Sequence, residues 1–428
     1  MTEKQLAERV LAALQSAGFT KAAARASYAE LHELQAENGE LNLFRTNFET
    51  DITMTGISEQ RRASAAQNRI DEDSVQQAAA ELKLMAEGSQ PDAAFDIAEA
   101  QPPQAFSAGP EKPDHDMMYD RLMALQDYVA QAYPVLNLRS AGVSFVRRRG
   151  AFLNTNGVSF ETTRGQYQVS ISFSSREGTN TSSMMYTGYS RFSLDEPIEQ
   201  AINIDLLMKQ STEQTETRHI PGKFVGDLIF TPDCIMDFMG FLTGQIGDSA
   251  MVSDTSLYKG KVGEQVVSDL VTLDICPLSA ELSGGYWTTG DGYAAENSRL
   301  IEAGVLRHYL LGLYGANKTG LPRAPNAGGC YVMAPGQTSL DDMISGISEG
   351  ILMTRFSGGR PNDRGDVSGI AKNSYYIKDG KVQFPIRETT ISGNIVSMLS
   401  RVNAVSSETI NDGRSVLPWV RTTGVTVS

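Results

Sequence analysis

Two dipeptides constrain this chain most. Asn38-Gly39 and Asp379-Gly380 each interrupt residues of strand-like character. Such pairs favour the left-handed backbone of a two-residue hairpin turn. Residues 28–34 and 41–45 then pair around the first turn, and residues 374–377 and 382–386 around the second. Antiparallel hairpins are thereby set near both ends of the chain.

Helical periodicity fills much of the rest. Leu6, Val10, Leu11 and Leu14 share one face of a helix over 3–18 that closes at Gly18. Residues 72–86 are rich in Ala, Glu and Leu and read as a second helix. Leu122, Leu125 and Val129 mark a third over 116–132, and 194–211 a fourth. Strands are expected at 143–146, 151–153 and 167–173, broken by Gly150 and Asn156-Gly157. From Gly222 onward the chain is rich in glycine and in short β-like segments, 228–230 and 350–354 among them. No repeat of fixed period occurs.

The fold class is therefore α+β, a mixed N-terminal region followed by a β-rich antiparallel C-terminal domain. The 428 residues are too many for one ordinary core. The expected division is an N-terminal α+β domain at 1–86, a linker at 87–116, a central α+β region at 117–221, and the C-terminal domain at 222–428. The linker carries Pro91, Pro102, Pro103, Pro110 and Pro113, and reads as a mobile loop.

Composition narrows the setting. No apolar run reaches the roughly 18 residues of a membrane span. The first ten residues carry charges throughout, so no secretory signal is expected. Cys234, Cys276 and Cys330 are an odd set, as suits a reducing cytoplasm without a disulfide framework. Net charge is 37 − 51 = −14, which opposes contact with nucleic acid. The one basic run, Arg147-Arg148-Arg149, reads as a solvated strand end or turn.

Candidate chemistry is sparse. His32, His115, His219 and His308 show no zinc-binding spacing. His32-Glu33 starts like a zincin motif, but Ala36 stands where the second histidine belongs, in a segment that alternates like a strand. No Gly-x-Ser-x-Gly nucleophile elbow and no phosphate loop are expected. Cys234 lies among Ile235, Met236 and Phe238 as a core thiol, and Cys276 and Cys330 have no evident base. Asp291, Glu296, Asp341, Asp342, Asp363 and Asp366 read as loop caps. The residues alone yield no catalytic constellation and no cofactor site.

A resemblance adds to this. Its segments are Thr255-Ser256-Leu257-Tyr258-Lys259-Gly260-Lys261-Val262-Gly263-Glu264, Leu300 to Leu306 with Tyr309-Leu310-Leu311, Thr390-Ile391-Ser392-Gly393-Asn394 with Met398-Leu399, and Gly424-Val425-Thr426-Val427-Ser428. In order and spacing, 222–428 resembles the TldD/PmbA family, often labelled modulators of DNA gyrase, on its PmbA (TldE) side. In TldD-like members a His-Glu-x-x-x-His helix and a late cysteine bind zinc, and the glutamate activates a zinc-bound water. Counted back from Ser256, that motif falls on Met239, Gly240 and Gly244; the cysteine falls near Asn411-Asp412-Gly413.

The resemblance thus implies no catalytic residue, metal or cofactor on this chain. It implies a zinc-free, non-catalytic subunit of a TldD-type metallopeptidase assembly that processes unfolded peptides. The implied partners are a TldD-type subunit, a second copy, or both, without nucleic acid or membrane. A stand-alone peptidase with a relocated site and a homodimeric peptide-binding protein remain as alternatives. The glycine-rich loops at 284–292 and 357–369 are candidates to line a peptide cavity.

Overall fold

The computed structural model describes residues 1–428. Its first half is an eight-stranded sheet with helices on one face. Helix α1 (Glu3–Ser16) begins in a capping box between Thr2 and Gln5, which satisfies its first free amides. Strands β1 (Lys21–Glu37) and β2 (Glu40–Ser58) form the first hairpin. Asn38 and Gly39 turn it at φ 50° and 87°, the left-handed pair that such a turn demands. Then follow β3 (Arg61–Gln67), α2 (Glu72–Gly88), β4 (Gln104–Ala108), α3 (His115–Ala132), β5 (Leu136–Asn154), β6 (Ser159–Glu177), β7 (Asn180–Thr181), β8 (Met185–Arg191) and α4 (Ile204–Glu213).

The sheet order is β3-β2-β1-β5-β6-β4, with β7 and β8 also on β6. Strands of 17 to 19 residues carry two cores side by side. Ala22, Ala24 and Ala26 of β1 meet Leu6, Val10 and Leu14 of α1 and Leu82 of α2 in one. Leu34 and Ala36 join Leu122 and Leu125 of α3 and Leu207 of α4 in the other. Period-two alternation along a single strand thus feeds both helical layers.

Three expectations change here. The segments 143–146 and 151–153 are one strand, β5, running through Gly150. The arginine run therefore lies in mid-strand rather than at an end. Arg149 pairs with Glu3 at 2.9 Å and covers the Tyr28 ring at 4.5 Å, fastening α1 to the sheet. The helix expected over 194–211 divides into a single turn, Ile198–Gln200, and α4, because Ile202 adopts φ 50° between them.

Residues 89–103 form an extended strap. Ala94, Ile97 and Ala98 are buried. Asp92 accepts from Lys318 Nζ at 2.7 Å and Tyr314 Oη at 3.0 Å, so the strap is tied to the second half.

That half is a 13-stranded sheet. It comprises β9 (Phe224–Phe230), α5 (Pro232–Gln245), α6 (Asp248–Val252), β10 (Leu273–Ile275), β11 (Ser298–Glu302), β12 (Val305–Leu306), α7 (Leu313–Thr319), β13 (Tyr331–Met333) and α8 (Leu340–Ser345). After these come β14 (Glu349–Met353), β15 (Arg355–Gly358), β16 (Asp366–Lys372), β17 (Tyr375–Lys378), β18 (Lys381–Pro385), β19 (Thr389–Asn394), α9 (Ile395–Ser400), β20 (Val402–Asn411) and β21 (Val416–Val427). Strand β21 is the hub, pairing with β9, β13, β19 and β20. Only β9–β14 and β13–β21 are parallel within this sheet. Asp379 and Gly380 turn the β17–β18 hairpin at φ 48° and 74°. No helix is long and apolar enough to cross a membrane.

The two sheets meet at the β20–β21 turn. Ser190 N–H donates to Asp412 O at 2.9 Å, and Gly284 N–H to Gly413 O at 2.8 Å. Gly413 stands at φ +82°, and a Cβ there would lie 2.0 Å from Ser190 O. Gly413→Ala combines backbone strain with a main-chain clash, and should cost about 2 kcal/mol or more. Urea unfolding of the two proteins checks this; a difference under roughly 0.5 kcal/mol would mean that the seam yields freely.

Candidate functional site

Helix α5 places the residues of interest. Thr231 caps it and Pro232 opens it, where a missing N–H costs nothing. Its inner face is Cys234, Ile235, Phe238, Met239 and Leu242, all buried. Phe238 packs on Phe230 at 4.5 Å and on Phe356 at 5.1 Å between ring centroids. Burial drives the Cys234 thiol well above its usual range, which makes it an inert core group.

The outer face is a narrow stripe. Asp233, Asp237, Gly240 and Gly244 follow one another at helical spacing, and all are exposed. Above Gly240 and Gly244 an added Cβ would meet nothing within 4 Å. Met239, five residues before Gly244, turns instead into the main core and is only 1% exposed. Of the three positions singled out on this helix, two share the open face and one does not.

The first turns of α5 border a cleft of about 400 Å³ at the seam between the sheets. Tyr186 and Thr187 of β8 form one wall, Asp233 and Asp237 another, and Arg355, Phe356, Asp412 and Arg414 the remainder. Solvent reaches both α5 carboxylates, yet protein surrounds them on most sides. Burial raises the Asp233 pKa; its bond from Asn203 Nδ2, at 2.9 Å, opposes the rise, and the nearby charge of Asp412 adds to it. Burial also raises Asp237, against the positive charge of Arg355. Arg355 lies over the Tyr186 ring at 4.4 Å and donates to Met184 O, while its Nε is buried without a partner. Asn203 Oδ1 is likewise buried and unpaired. An acid held above its usual range beside unpaired polar groups has the features of a binding or reacting site.

The facing turn holds its own acid. Asp412 Oδ1 accepts from Arg414 N at 2.8 Å, Ser415 N at 2.7 Å and Ser415 Oγ at 3.2 Å. No thiol lies in this turn. Cys330 lies behind it, its Sγ 3.8 Å from Gly284 O, and burial pushes its pKa up to about 11.

Other candidates fall elsewhere. The glycines of 357–369 belong to the β15–β16 hairpin, where the Phe356 ring lies over Gly358 and Gly369. In the 284–292 loop, Gly285 is pressed against Pro277 O. Gly290 and Asp291 line a separate cavity with Arg25 and Asp248. His32 and His115, far apart in sequence, meet with Nδ1 and Nε2 3.0 Å apart, and Glu30 takes the other His32 nitrogen at 2.7 Å. No three His, Cys, Asp or Glu side chains are grouped so as to hold a metal ion. One pattern escapes the sequence reading: Gly346-Ile347-Ser348-Glu349-Gly350 does have the letters of a nucleophile elbow. It leads from helix α8 into strand β14, the reverse of the strand-to-helix turn that the motif needs.

The fold and the α5 cleft define a two-sheet α+β protein with an acidic cleft at the seam between the sheets. Residues 222–428 match the family model described as the PmbA/TldA metallopeptidase C-terminal domain. The C-terminal half of the chain, residues 222–428, thus carries the C-terminal domain of the TldD/PmbA family. It is 24% identical over 375 residues to an uncharacterized protein of Methanocaldococcus jannaschii, covering 83% of this chain and 84% of that one. It is 25% identical over 205 residues to the metalloprotease PmbA of Escherichia coli O157:H7, a match spanning 46% of this chain and 45% of the relative. Its fold is shared by TldE from Thermococcus kodakarensis, with TM-score 0.83, 18% identity, and coverage of 99% of this chain and 100% of that one.

A zinc ion is what this family's name implies, and the side chains at the positions assigned to its ligands do not fit one. Gly240 and Gly244 offer no donor, the Met239 thioether is in the core, and Asp412 Oδ1 is occupied by its own turn.

The missing signal was a charge pattern. Asp233 and Asp237 stand four residues apart on an otherwise apolar helix, which marks a polar stripe from sequence alone. Their role at the cleft carries a testable cost. A carboxyl with a raised folded-state pKa lowers stability when ionised. The Asp233 contribution to stability should therefore be greatest below the ordinary 3.8 and fall as pH rises through the raised value. Asp233→Asn removes the charge and supplies an N–H for Asn203 Oδ1. It should stabilise the protein at neutral pH by about 1 kcal/mol and flatten this acidic-range dependence. Thermal unfolding across pH 3 to 7 tests this; an unchanged or lower neutral-pH stability would contradict it.

Proposed function

We propose that this chain is the zinc-free, non-catalytic member of a two-chain peptidase assembly of TldD type, acting on unfolded peptides. The observation that supports it best is the outer face of α5. Where the TldD-like members carry donors, this chain has two glycines with empty space above them and a methionine turned inward. The open face and its cleft receive polypeptide from outside the chain. Tyr186, Met236 and Phe356 supply apolar contact there, and Arg355 and Arg414 supply donors for carbonyl or carboxylate oxygen. A bare helix surface lets an extended main chain approach closely, so little sequence preference is needed.

The first test is metal content and cleavage of an unstructured peptide, for the chain alone and mixed with a TldD-type chain. The expected result is substoichiometric zinc and no cleavage alone, with cleavage in the mixture. Stoichiometric zinc with cleavage by the single chain would overturn the reading. A second test separates structure from function. Gly240→Ala and Gly244→Ala should each stabilise α5 by about 0.5–1 kcal/mol. On a working face the added methyls should lower activity of the mixture even as the melting temperature rises. Full activity with both substitutions would show that this face contacts nothing.

A further inference from the structure

The cleft beside α5 holds an imbalance of charge that its own chain leaves uncorrected. Asp233, Asp237 and Asp412 all line it. None of these carboxylates forms an ion pair anywhere in the structure. Arg355 is drawn instead onto the Tyr186 ring and the carbonyl of Met184. Asp412 is satisfied by the amides of its own turn. Asp233 and Asp237 are left open. They stand four residues apart on one face of α5, so their side chains start about 6 Å from each other, within reach of one small cation.

A second observation comes from another part of the chain. Thr354, directly after β14, lines the same cleft and is only 1% exposed, yet its Oγ1 has no hydrogen-bond partner. Its main chain is already used, the N–H by Ser374 Oγ and the carbonyl by Thr231 Oγ1. Asn203 is similar: Nδ2 donates to Asp233, and Oδ1 is buried and unpaired. Buried polar groups without a partner are exceptions in a folded chain. Those gathered at this end of the cleft can all accept, so the missing partner is a positively charged donor. A metal ion does not answer, since no three His, Cys, Asp or Glu side chains are grouped to hold one. A primary ammonium does, being a compact charge with three N–H donors.

We infer that the cleft seats the primary ammonium group of a peptide between Asp233 and Asp237, with the adjoining main chain directed toward Arg355 and Arg414. This rests on the reading of the cleft as a polypeptide site and adds the chemical group that anchors the chain there. The three N–H donors meet the two carboxylates and Thr354 Oγ1, and the arginines face the carbonyl oxygens that follow. Burial raises the pKa of both acids, and a bound cation would reverse that cost. Two sources carry the group, the amino terminus and a lysine side chain.

The test is fluorescence anisotropy of an unstructured peptide of Gly, Ser and Ala, tagged at its C-terminus and titrated with the full chain at fixed salt. It is used in three forms: with a free amino terminus, acetylated, and acetylated with one central lysine. Acetylation should weaken binding roughly tenfold or more. Recovery with the lysine form would show that the cleft takes either ammonium; no recovery would show that it takes the amino terminus alone. Asp237→Asn and Asp233→Asn should each cut the preference for the free terminus to about threefold or less. Glu81→Gln on α2, in the other core layer, removes the same charge far from the cleft and should leave the preference intact. Thermal unfolding confirms that each variant is folded. The inference fails if free and acetylated forms bind alike, or if neither binds at millimolar concentration. It fails equally if both aspartate variants keep the full preference, or if Glu81→Gln lowers it as much as they do. The accessory-subunit reading is judged separately, by zinc content and by cleavage in the mixture. Cleavage there without any preference for the free terminus would remove this inference and leave that reading standing.

Discussion

The approach of Gly413 to Ser190 is the contact on which the architecture of the cleft depends. The chain builds two sheets with separate large cores, joined by polar contacts and by a small apolar cluster in which Phe152, Phe160 and Phe106 of the first half meet Tyr293 and Trp287 of the second. The β20–β21 turn, the strap at Asp92 and the Arg355–Met184 bond cross between them. A turn pressed main chain to main chain leaves no room for a side chain, and it fixes Asp412 opposite the first turn of α5. The cleft is therefore a product of how the sheets are docked. Neither sheet forms it alone.

Within that cleft the energetics run against stability. Two acids on one helical stripe are partly desolvated, and Asn203 Oδ1 and Arg355 Nε are buried without partners. Each unpaired buried group costs on the order of 1–3 kcal/mol. Elsewhere α5 is well packed, with Phe238 wedged between Phe230 and Phe356. On α5 itself the conflict is thus confined to the face that borders the cleft. Such local conflict between stability and arrangement is where function is expected to reside.

Much of the fold was legible in local chemistry. Asn38-Gly39 and Asp379-Gly380 announced their hairpins because only a few residues tolerate the left-handed turn. The helices of the first half followed from apolar spacing and, for the first, from Gly18 at its end. The lengths of β5 and β6 were not legible, since Gly150 looks like a break and is in fact an interior strand residue against Thr162. The arginine run misled for the same reason: its partners, Glu3 and Tyr28, lie more than a hundred residues away. The family's core segments could be read from their order, but the inward turn of Met239 could not, because helical phase relative to the core depends on tertiary packing. Nor could the meeting of His32 with His115, which follows from the placement of α3 against β1.

The separation of the large cores limits what occupancy of the cleft can disturb. The open face of α5 rests on the 37-residue core of the second sheet. Filling the cleft need not repack the cores of the first sheet, which are separate buried clusters. Coupling between them would pass through the contacts that join the halves: the polar seam at Ser190 and Asp412, the strap at Asp92, the Tyr375–Glu213 bond and the aromatic cluster around Phe152. The long strands β5 and β6 run from the α1 layer to the α3 layer without interruption, and β8 joins β6 to the cleft wall.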